Sequence, residues 1–289
     1  SIHKYKVAKM SKVHTLSKLS LAIALGCAAQ TSWAEIAPAD GATQVSRQQG
    51  VEIINIAKPS DSGLSHNKYN KYNVDKAGAV LNNSRQAGQS QLAGQLKANP
   101  HLQTQSATVI LNEVISRNPS KIAGTQEIFG DKADYVLANP NGISVEGGGF
   151  INTPRASMVV GKPQVAEGQL QGYDVTGSNA LTTNGKITAQ GSEIDFIAPQ
   201  VSINGEIKTE QGVNVIQGRN KLARAQDGAL SITTVEKTGQ VLDGKIAGSM
   251  QAGRIRIHST DDRATITAQG ADLEAKEVAF TGANAILKG

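Results

Sequence analysis

The fold is decided by residues 184–207, which read NGKITAQGSEIDFIAPQVSINGEI. The segment Asn184-Gly-Lys-Ile187 recurs 20 residues later as Asn204-Gly-Glu-Ile207, and short runs of alternating apolar residues lie between the two copies. Short strands at a fixed spacing, with Gly or Asn at the corners, are typical of a solenoid in which each coil stacks on its neighbour. The repeat therefore predicts an all-β fold, a parallel β-helix.

A second repeat lies further along the chain. The pentapeptide Ile187-Thr-Ala-Gln-Gly191 returns as Ile266-Thr-Ala-Gln-Gly270, 79 residues later, which is close to four periods of 20. At about 20 residues per coil and about 4.8 Å per stacked strand, residues 35–289 would form about a dozen coils and a rod of about 55–60 Å. Alternation in Arg254-Ile-Arg-Ile-His258 also favours strands over helices.

Other segments depart from the repeat. Residues 63–163 are rich in Asn-Pro, Asn-Gly and Gly-Gly, which predict turns, hairpins and extra strands laid on the solenoid. Residues 89–98 predict a loop or a short helical turn. An exposed end coil would offer unpaired backbone groups, so we expect an N-terminal cap at about residues 35–60. The repeat is still running at Gly289, which predicts that this chain is the N-terminal piece of a much longer β-helical rod.

Composition separates a leader from the body. The 289 residues carry 29 Lys+Arg against 24 Asp+Glu, a formal charge of +5, with a pI near 9.2. Residues 1–34 hold five lysines and no acidic residue, so the remaining chain carries 24 basic and 24 acidic groups. The body is formally neutral, which removes the nucleic-acid partner that the pI would suggest.

The leader has the features of a secretory signal peptide. Its lysines precede an apolar run, Leu19 to Ala29, which is too short for a permanent membrane span, and Ser32-Trp-Ala34 follows as a small-residue exit. We expect cleavage between Ala34 and Glu35; the alternatives are a buried N-terminal helix and a lipoprotein site at Cys27. Cleavage would remove the one Cys, so the exported body would fold without disulfides.

The body carries no recognisable catalytic or metal motif. His66, His101 and His258 lie far apart and lack metal-ligand spacing, and nucleophile-elbow, zinc-protease and P-loop patterns are absent. Asp261-Asp262 is interpreted as a solvated loop. Arg254, Arg256 and His258 line one face of a strand, where an ordinary solvated surface is favoured over a partner contact. We therefore expect no enzyme activity, cofactor or metal.

The densest turn signal is Asn139-Pro-Asn-Gly-Ile143, where proline presets a turn and Asn-Gly tolerates a tight reversal. Taken alone, this motif is structural. Related segments are Asn99-Pro-His-Leu102 and Asn118-Pro-Ser120.

An ordered series of motifs makes the resemblance specific. Together they resemble the two-partner secretion domain of filamentous haemagglutinins, secreted haemolysins and contact-dependent inhibition toxins, over about residues 36–270. The motifs that carry the resemblance are Ser65-His-Asn67, Asn82-Asn83, Gly88-Gln-Ser-Gln-Leu-Ala-Gly94, Ile110-Leu-Asn-Glu-Val114, Arg117-Asn-Pro119, Tyr135-Val-Leu137, Asn139-Pro-Asn-Gly-Ile143, Gly149-Phe-Ile-Asn-Thr153 and Ser249-Met-Gln-Ala-Gly-Arg-Ile255.

The resemblance implies a right-handed parallel β-helix at the N-terminus of a large exoprotein. It implies passage through the general secretory translocon, recognition by the periplasmic domains of a cognate outer-membrane barrel transporter of the TpsB type, and delivery to the surface of a Gram-negative cell or the medium. A C-terminal region beyond residue 289 would act on host or neighbouring cells. The family's Asn-Pro-Asn-Leu element falls on Asn99, Pro100, His101 and Leu102, with His101 in place of the second Asn. Its Asn-Pro-Asn-Gly-Ile element falls on Asn139, Pro140, Asn141, Gly142 and Ile143.

One alternative from a different class stays open. A parallel β-helix could be a carbohydrate-active enzyme, such as a polysaccharide lyase or glycosidase. Such an enzyme should collect acidic and basic residues on one face of consecutive coils. The sequence indicates no such cluster.

Overall fold

The computed structural model describes residues 35–282 and the backbone of 285–288. The expected signal peptide, including Ala34, lies outside these residues. The strands are β1 (Ile36–Pro38), β2 (Gln44–Gln48), β3 (Val51–Asn55), β4 (Leu64–Tyr72), β5 (Ala79–Asn83), β6 (Gly88–Ser90), β7 (Gly94–Leu96), β8 (Val109–Val114), β9 (Ser120–Ile122), β10 (Gln126–Gly130), β11 (Asp134–Ala138), β12 (Ile143–Val145), β13 (Gly148–Ile151), β14 (Arg155–Val159), β15 (Lys162–Ala166), β16 (Gln169–Val175), β17 (Ala180–Thr183), β18 (Lys186–Thr188), β19 (Glu193–Ala198), β20 (Gln200–Ile203), β21 (Glu206–Lys208), β22 (Gly212–Gln217), β23 (Asn220–Arg224), β24 (Leu230–Val235), β25 (Gly244–Ile246), β26 (Ser249–Gln251), β27 (Arg254–Ser259), β28 (Ile266–Gln269), β29 (Asp272–Glu274), β30 (Glu277–Thr281) and β31 (Ala285–Lys288).

Three sheets form the walls of a parallel β-helix, as the repeat predicts. Sheet A runs β1-β4-β8-β11-β14-β19-β22-β27-β30, sheet B runs β2-β3-β5-β10-β13-β18-β21-β26-β29, and sheet C runs β9-β12-β17-β20-β25-β28-β31. From β8 onward the chain visits sheets A, C and B in turn, so each coil contributes one strand to each wall. Strands that enter a wall from different coils pair in parallel.

The 20-residue repeat marks neighbouring coils. Ile187 of β18 pairs in register with Ile207 of β21 in sheet B. The 79-residue repeat has a different origin, because Ile187 lies in sheet B whereas Ile266 begins β28 in sheet C. The two pentapeptides occupy different walls, so the inference of four intervening periods was wrong.

The coil number also differs from the expected dozen. Sheet A contains nine strands, which at about 4.8 Å per interval spans about 38 Å. Three coils are about twice the expected 20 residues because each carries an insertion. Ser65 and Ile110, which pair in register on adjacent coils, are 45 residues apart in sequence, and the paired Ala156 and Ile194 are 38 residues apart. They are 42 apart between Val213 and Ile255.

The insertions fold back over the outer faces of two walls. Strands β6 and β7 form an antiparallel hairpin over sheet B, where Ala93 and Leu96 pack on Val80 and Phe129. The segment 89–98 is therefore a hairpin arm, and its interpretation as a loop or helical turn was wrong. Strands β15-β16-β23-β24 form an antiparallel overlay sheet. Most of this overlay lies beyond residue 163, outside the region in which extra strands were expected.

The overlay sheet covers sheet A with a second apolar layer. Its strands contribute Leu170, Tyr173, Val175 and Leu222. Sheet A contributes the outward-facing Leu111, Val136, Val159 and Ile197. Sheet C has no such cover among the described strands.

The interior of the β-helix is a narrow apolar column. One inward row runs in register from Ile110 through Tyr135, Ala156 and Ile194 to Val213, and these side chains are at most 1% exposed. Burial of each large side chain contributes about 1.5–3 kcal/mol. Aromatic residues are few, but all four tyrosines of the described chain are among its largest fully buried side chains: Tyr69, Tyr72, Tyr135 and Tyr173.

Antiparallel strands close the N-terminal end of two walls. β1 pairs antiparallel with β4, and β2 pairs antiparallel with β3. The backbone N–H of Ile36 donates to the buried Glu52 carboxylate at 3.2 Å, which ties β1 to β3. Because β3 already runs parallel to β5, it belongs to the first coil. The described residues contain no helix, and so none that could cross a membrane.

Candidate functional site

The motif 139–143 forms the corner between β11 of sheet A and β12 of sheet C. The Oδ1 of Asn139 accepts hydrogen bonds from the backbone N–H and the side-chain amide of Asn141, at 3.0 and 2.9 Å. The N–H of Gly142 donates to the carbonyl of Asn139 at 3.3 Å, which closes the turn. Asn139 is 0% exposed, and Ile143 is buried in the interior core. The motif thus builds an Asx-type turn whose first residue is fully buried.

The motif 99–102 forms a turn of matching geometry at another corner. The N–H of His101 donates to Asn99 Oδ1 at 3.0 Å, and the N–H of Leu102 donates to the Asn99 carbonyl at 3.3 Å. This turn lies between the β6–β7 hairpin and β8, at the corner between sheets B and A. Leu102 is 1% exposed and Pro100 is exposed. The two motifs therefore form the same type of turn, but the turns lie at different corners of the β-helix.

His101 replaces asparagine without loss of the turn, because only its backbone N–H is needed there. Its ring Nδ1 lies 3.0 Å from the carbonyl of Ile56, a group to which the Asn99 amide also donates at 3.0 Å. The imidazole therefore adds a local backbone contact. The structure gives it no catalytic or metal partner among the described residues.

Asparagine amides link successive coils along the corner between sheets A and C. The Asn118 amide donates to the carbonyl of Asn70 at 2.8 Å, and the Asn139 amide donates to the carbonyl of Asn118 at 2.9 Å. The Asn141 amide donates to the carbonyl of Ser116 at 2.8 Å. Each bond crosses from one coil to its neighbour. We call this row the asparagine ladder: Asn70, Asn118, Asn139, Asn141 and Asn179, the last donating to the carbonyl of Pro140 at 2.9 Å.

Asn139 of the ladder and Asn99 of the other motif have almost no hydrogen-bonding capacity left for a partner in the folded chain. Asn139 also donates to Ser120 Oγ at 2.9 Å, so its side chain makes four hydrogen bonds. Asn99 donates to two carbonyls and accepts from one N–H, and it is 2% exposed. Asn99 and Asn139 therefore hold corners of the solenoid and are closed to contact from outside, whereas Asn141 is half-buried.

A charged cluster that sequence reasoning missed lies on the outer face of sheet A. Arg155 donates two 2.9 Å bonds to Asp195, and Arg254 donates a 2.7 Å bond to Glu193. Asn214 bridges both carboxylates, at 3.0 Å to Glu193 and 2.9 Å to Asp195. These residues come from four different coils. Acidic and basic residues thus do meet on one face, contrary to expectation. The sequence did not indicate this cluster because inserted segments hide the register of its residues.

The cluster has the chemistry of a structural network. Burial acts to raise the pKa of Glu193, but hydrogen bonds from Asn214 and the N–H of Gly212, with the charge of Arg254, outweigh it and lower that pKa. Asp195 is 0% exposed and accepts from Arg155, Asn214 and Ser157. Glu193 is therefore favoured in its ionised form, and the oxygens of both carboxylates accept hydrogen bonds from the cluster itself, whereas a glycosidase needs a protonated acid beside its second carboxylate. The carbohydrate-active enzyme alternative is not favoured.

Two further polar groups form ion pairs outside this cluster. Asp261 and Asp262 lie in a turn between β27 and β28, where Asp262 is exposed as expected, but Asp261 is 5% exposed and pairs with Arg263 at 2.9 Å. His66 pairs with Glu113 at 2.8 Å, far from the cluster. Across the described residues, no group of three or more His, Cys, Asp or Glu side chains is arranged to hold a metal ion.

Comparison with known proteins gives a consistent result. The family model described as "TPS secretion domain" matches residues 30–286. A hemolysin of Serratia marcescens is 48% identical over 256 residues, covering 83% of this chain and 16% of the relative. The toxin CdiA of Yersinia pestis is 39% identical over 265 residues, covering 86% of this chain and 8% of the relative. This chain therefore spans about a sixth or less of the length of these relatives.

Solved structures show the same fold. The filamentous hemagglutinin secretion domain superimposes with a TM-score of 0.68 at 27% identity, covering 88% of this chain and 99% of that one. The HMW1 secretion domain of Haemophilus influenzae, at 15% identity and a TM-score of 0.51, shares the fold. The chain belongs to the TPS secretion-domain family, whose exoproteins are secreted by Gram-negative bacteria or displayed on their surface.

Proposed function

We propose that this chain is the N-terminal export signal and folding nucleus of a longer exoprotein. A cognate outer-membrane barrel transporter of the TpsB type recognises it through periplasmic domains, after the general secretory translocon has carried it across the inner membrane. Residues 1–34 serve as the signal peptide, with cleavage between Ala34 and Glu35. The domain itself performs no catalysis and needs no cofactor; the effector lies in the C-terminal region, which meets host or neighbouring cells.

The observation that carries the proposal is the burial of the motif asparagines. In the folded chain, Asn139 and Asn99 direct their amides into the corners that they hold and offer no polar atom to a transporter. Their side chains are accessible only before the coils form. The transporter therefore reads 99–102 and 139–143 in the unfolded chain, and folding removes the side chains of Asn99 and Asn139 from it.

The contact pattern supports folding in sequence order after export. Each wall strand pairs with the strands of adjacent coils, so a coil needs only its neighbour to form. The asparagine ladder ties coils together at the early corners, between Asn70 and Asn141. Since formation of these corners buries the recognition motifs, folding at the cell surface opposes a return through the barrel.

The export experiment compares two fully buried residues that link coils at the A–C corner, Asn139 with four side-chain hydrogen bonds and Gln217 with two. The chain is co-expressed with its barrel transporter, and secreted and periplasmic fractions are measured for the wild type, Asn139→Ala and Gln217→Ala. Gln217 is also 0% exposed and also links coils at the A–C corner, through bonds to the N–H of Val201 at 3.0 Å and the carbonyl of Leu242 at 3.2 Å. It lies outside both motifs.

We expect Asn139→Ala to accumulate in the periplasm while Gln217→Ala is still exported, because only the first variant alters a recognised segment. Equal loss in the two variants would assign the effect to stability and contradict recognition. Undiminished export of Asn139→Ala would contradict it as well.

A further inference from the structure

A groove runs beside the free edge of the overlay sheet. Its floor is the outer face of sheet A at β22, β27 and β30, and its wall is the face of β24 that carries Leu230 and Ile232. Its volume is about 430 Å³, within the range of small-molecule sites. We call it the β24 groove. All of its lining residues follow the 139–143 motif in the sequence, and none of them belongs to either export motif.

The groove has this wall because the overlay sheet ends at β24, whereas sheet A continues beneath it to β27 and β30. Ile232 pairs across the strands with Leu222, whose side chain packs on sheet A in the apolar layer. The side chain of Ile232 therefore also faces sheet A. No described overlay strand lies beyond β24 to cover it, so Ile232 is 37% exposed. Ile216 and Ala279 of the floor add to this apolar lining.

Among the described residues, one cation that lines the groove has no partner. Arg155 and Arg254 are neutralised by Asp195 and Glu193. Arg256 lies in register between Asn214 and Ala279, and no hydrogen bond or ion pair joins it to another described residue. With these two pairs neutralised, the guanidinium of Arg256 gives the groove a net positive charge beside its apolar wall.

The remaining polar group of the stripe is already engaged. His258 bonds through Nδ1 to the hydroxyl of Thr281, and both residues line the groove. The stripe of Arg254, Arg256 and His258, for which a solvated face was favoured, thus divides into two partnered residues and one guanidinium that has no partner in the described part of the chain. Arg256 is the member that can bind a ligand.

We propose that the β24 groove binds an amphiphilic organic anion, a small molecule in which one carboxylate or sulfonate is attached to an apolar body. The anion pairs with the Arg256 guanidinium, which binds carboxylates in a bidentate geometry. The apolar body lies on Ile216 and against Ile232. The paired carboxylates of Glu193 and Asp195 repel a second negative charge, so monoanions are preferred over polyanions.

The test uses 8-anilinonaphthalene-1-sulfonate, which is a sulfonate on an aromatic body and fluoresces when its surroundings become apolar. The purified chain is titrated with this probe, and the bound probe is then displaced by dodecanoate or by dodecanol, kept below micelle-forming concentrations. Two variants remove one half of the site each: Arg256→Gln and Ile232→Ser. Two matched controls are Arg117→Gln, an exposed cation at another corner, and Val165→Ser, which is 38% exposed on the opposite edge strand of the same sheet.

We expect saturable binding to the wild type, weaker by about tenfold in Arg256→Gln and several-fold in Ile232→Ser, and unchanged in both controls. Dodecanoate should displace the probe and dodecanol should not. The proposal is overturned if the wild type does not bind either anion, or if Arg256→Gln binds as well as the wild type. Equal weakening in Arg117→Gln or Val165→Ser would also overturn it, since binding would then depend on general charge or apolarity. Circular dichroism confirms that each variant is folded.

Discussion

Replacing Asn139 with alanine should cost the folded chain about 4 kcal/mol. The substitution removes two donated hydrogen bonds, to the carbonyl of Asn118 and to Ser120 Oγ, and two bonds accepted from Asn141. Each bond contributes about 1 kcal/mol net, with a range of about 0.5–1.5. Because Asn139 is 0% exposed, water cannot replace the lost partners without opening the corner.

The matched control at the same corner is Asn179→Ala. Asn179 is exposed and makes one side-chain bond, to the carbonyl of Pro140 at 2.9 Å, which water can replace. Its loss should change the free energy of unfolding by less than about 0.5 kcal/mol. The two variants therefore separate a buried corner asparagine from an exposed one on the same ladder.

The assay is urea unfolding followed by far-ultraviolet circular dichroism, with the melting temperature as a second readout. For a domain of this size, 4 kcal/mol corresponds to a fall in melting temperature of roughly 8–16 °C. The reasoning is refuted if Asn139→Ala loses less than about 1 kcal/mol, or no more than Asn179→Ala does. Either result would mean that the corner is held by backbone pairing and that the amide contributes little.

Two further predictions concern the charged cluster. The pKa of Glu193 is lowered in the folded chain, so the ionised carboxylate stabilises the fold fully above the unfolded pKa of about 4.3, and this stabilisation is lost as pH falls through the folded pKa. Glu193→Gln should therefore lose less stability than the wild type between pH 6 and pH 3.5. Urea midpoints measured across this range that fall equally with pH in the two proteins would contradict the prediction. In Gly212→Ala, the added Cβ would lie 2.3 Å from Glu193 Oε1 and 3.0 Å from Arg254 Nη2, so the ion pair must shift, at a cost of about 1–2 kcal/mol in urea unfolding. Gly191→Ala, where the added Cβ meets nothing within 4 Å, is its control, and equal losses would show that the ion pair is not the cause.

The wall strands could be predicted from sequence because their signal is local. Asn184-Gly and Asn204-Gly mark the same corner of adjacent coils, and Ile187 and Ile207 pair in register. The pentapeptide at Ile266 misled because any inward-facing strand followed by a corner needs the same residue types, whichever wall it belongs to. Composition identifies the position within a coil but does not identify the wall.

The charged cluster could not be predicted because its register depends on insertions. Arg254 bonds to Glu193 across 61 residues, and an overlay hairpin lies between them. The length of this hairpin cannot be read from the sequence. A constant period of 20 places these residues on different faces. Once β23 and β24 are removed from the count, Gly212 and Arg254 fall in the same row of sheet A. The cluster is thus readable only after the insertions are known.

The covered walls do carry a sequence signal, which is the loss of alternation. Strands with an overlay are apolar on both faces, as in Asp134–Ala138 of sheet A, where Tyr135 and Leu137 point inward and Val136 meets the overlay. Strands of sheet C alternate: Lys121, Ser144, Thr182 and Ser202 form an outward row in register between inward apolar residues. A strand buried on both faces must have something packed on each of them. The two-sided apolar runs therefore predict which walls the insertions cover, and the alternating runs predict the wall that faces solvent.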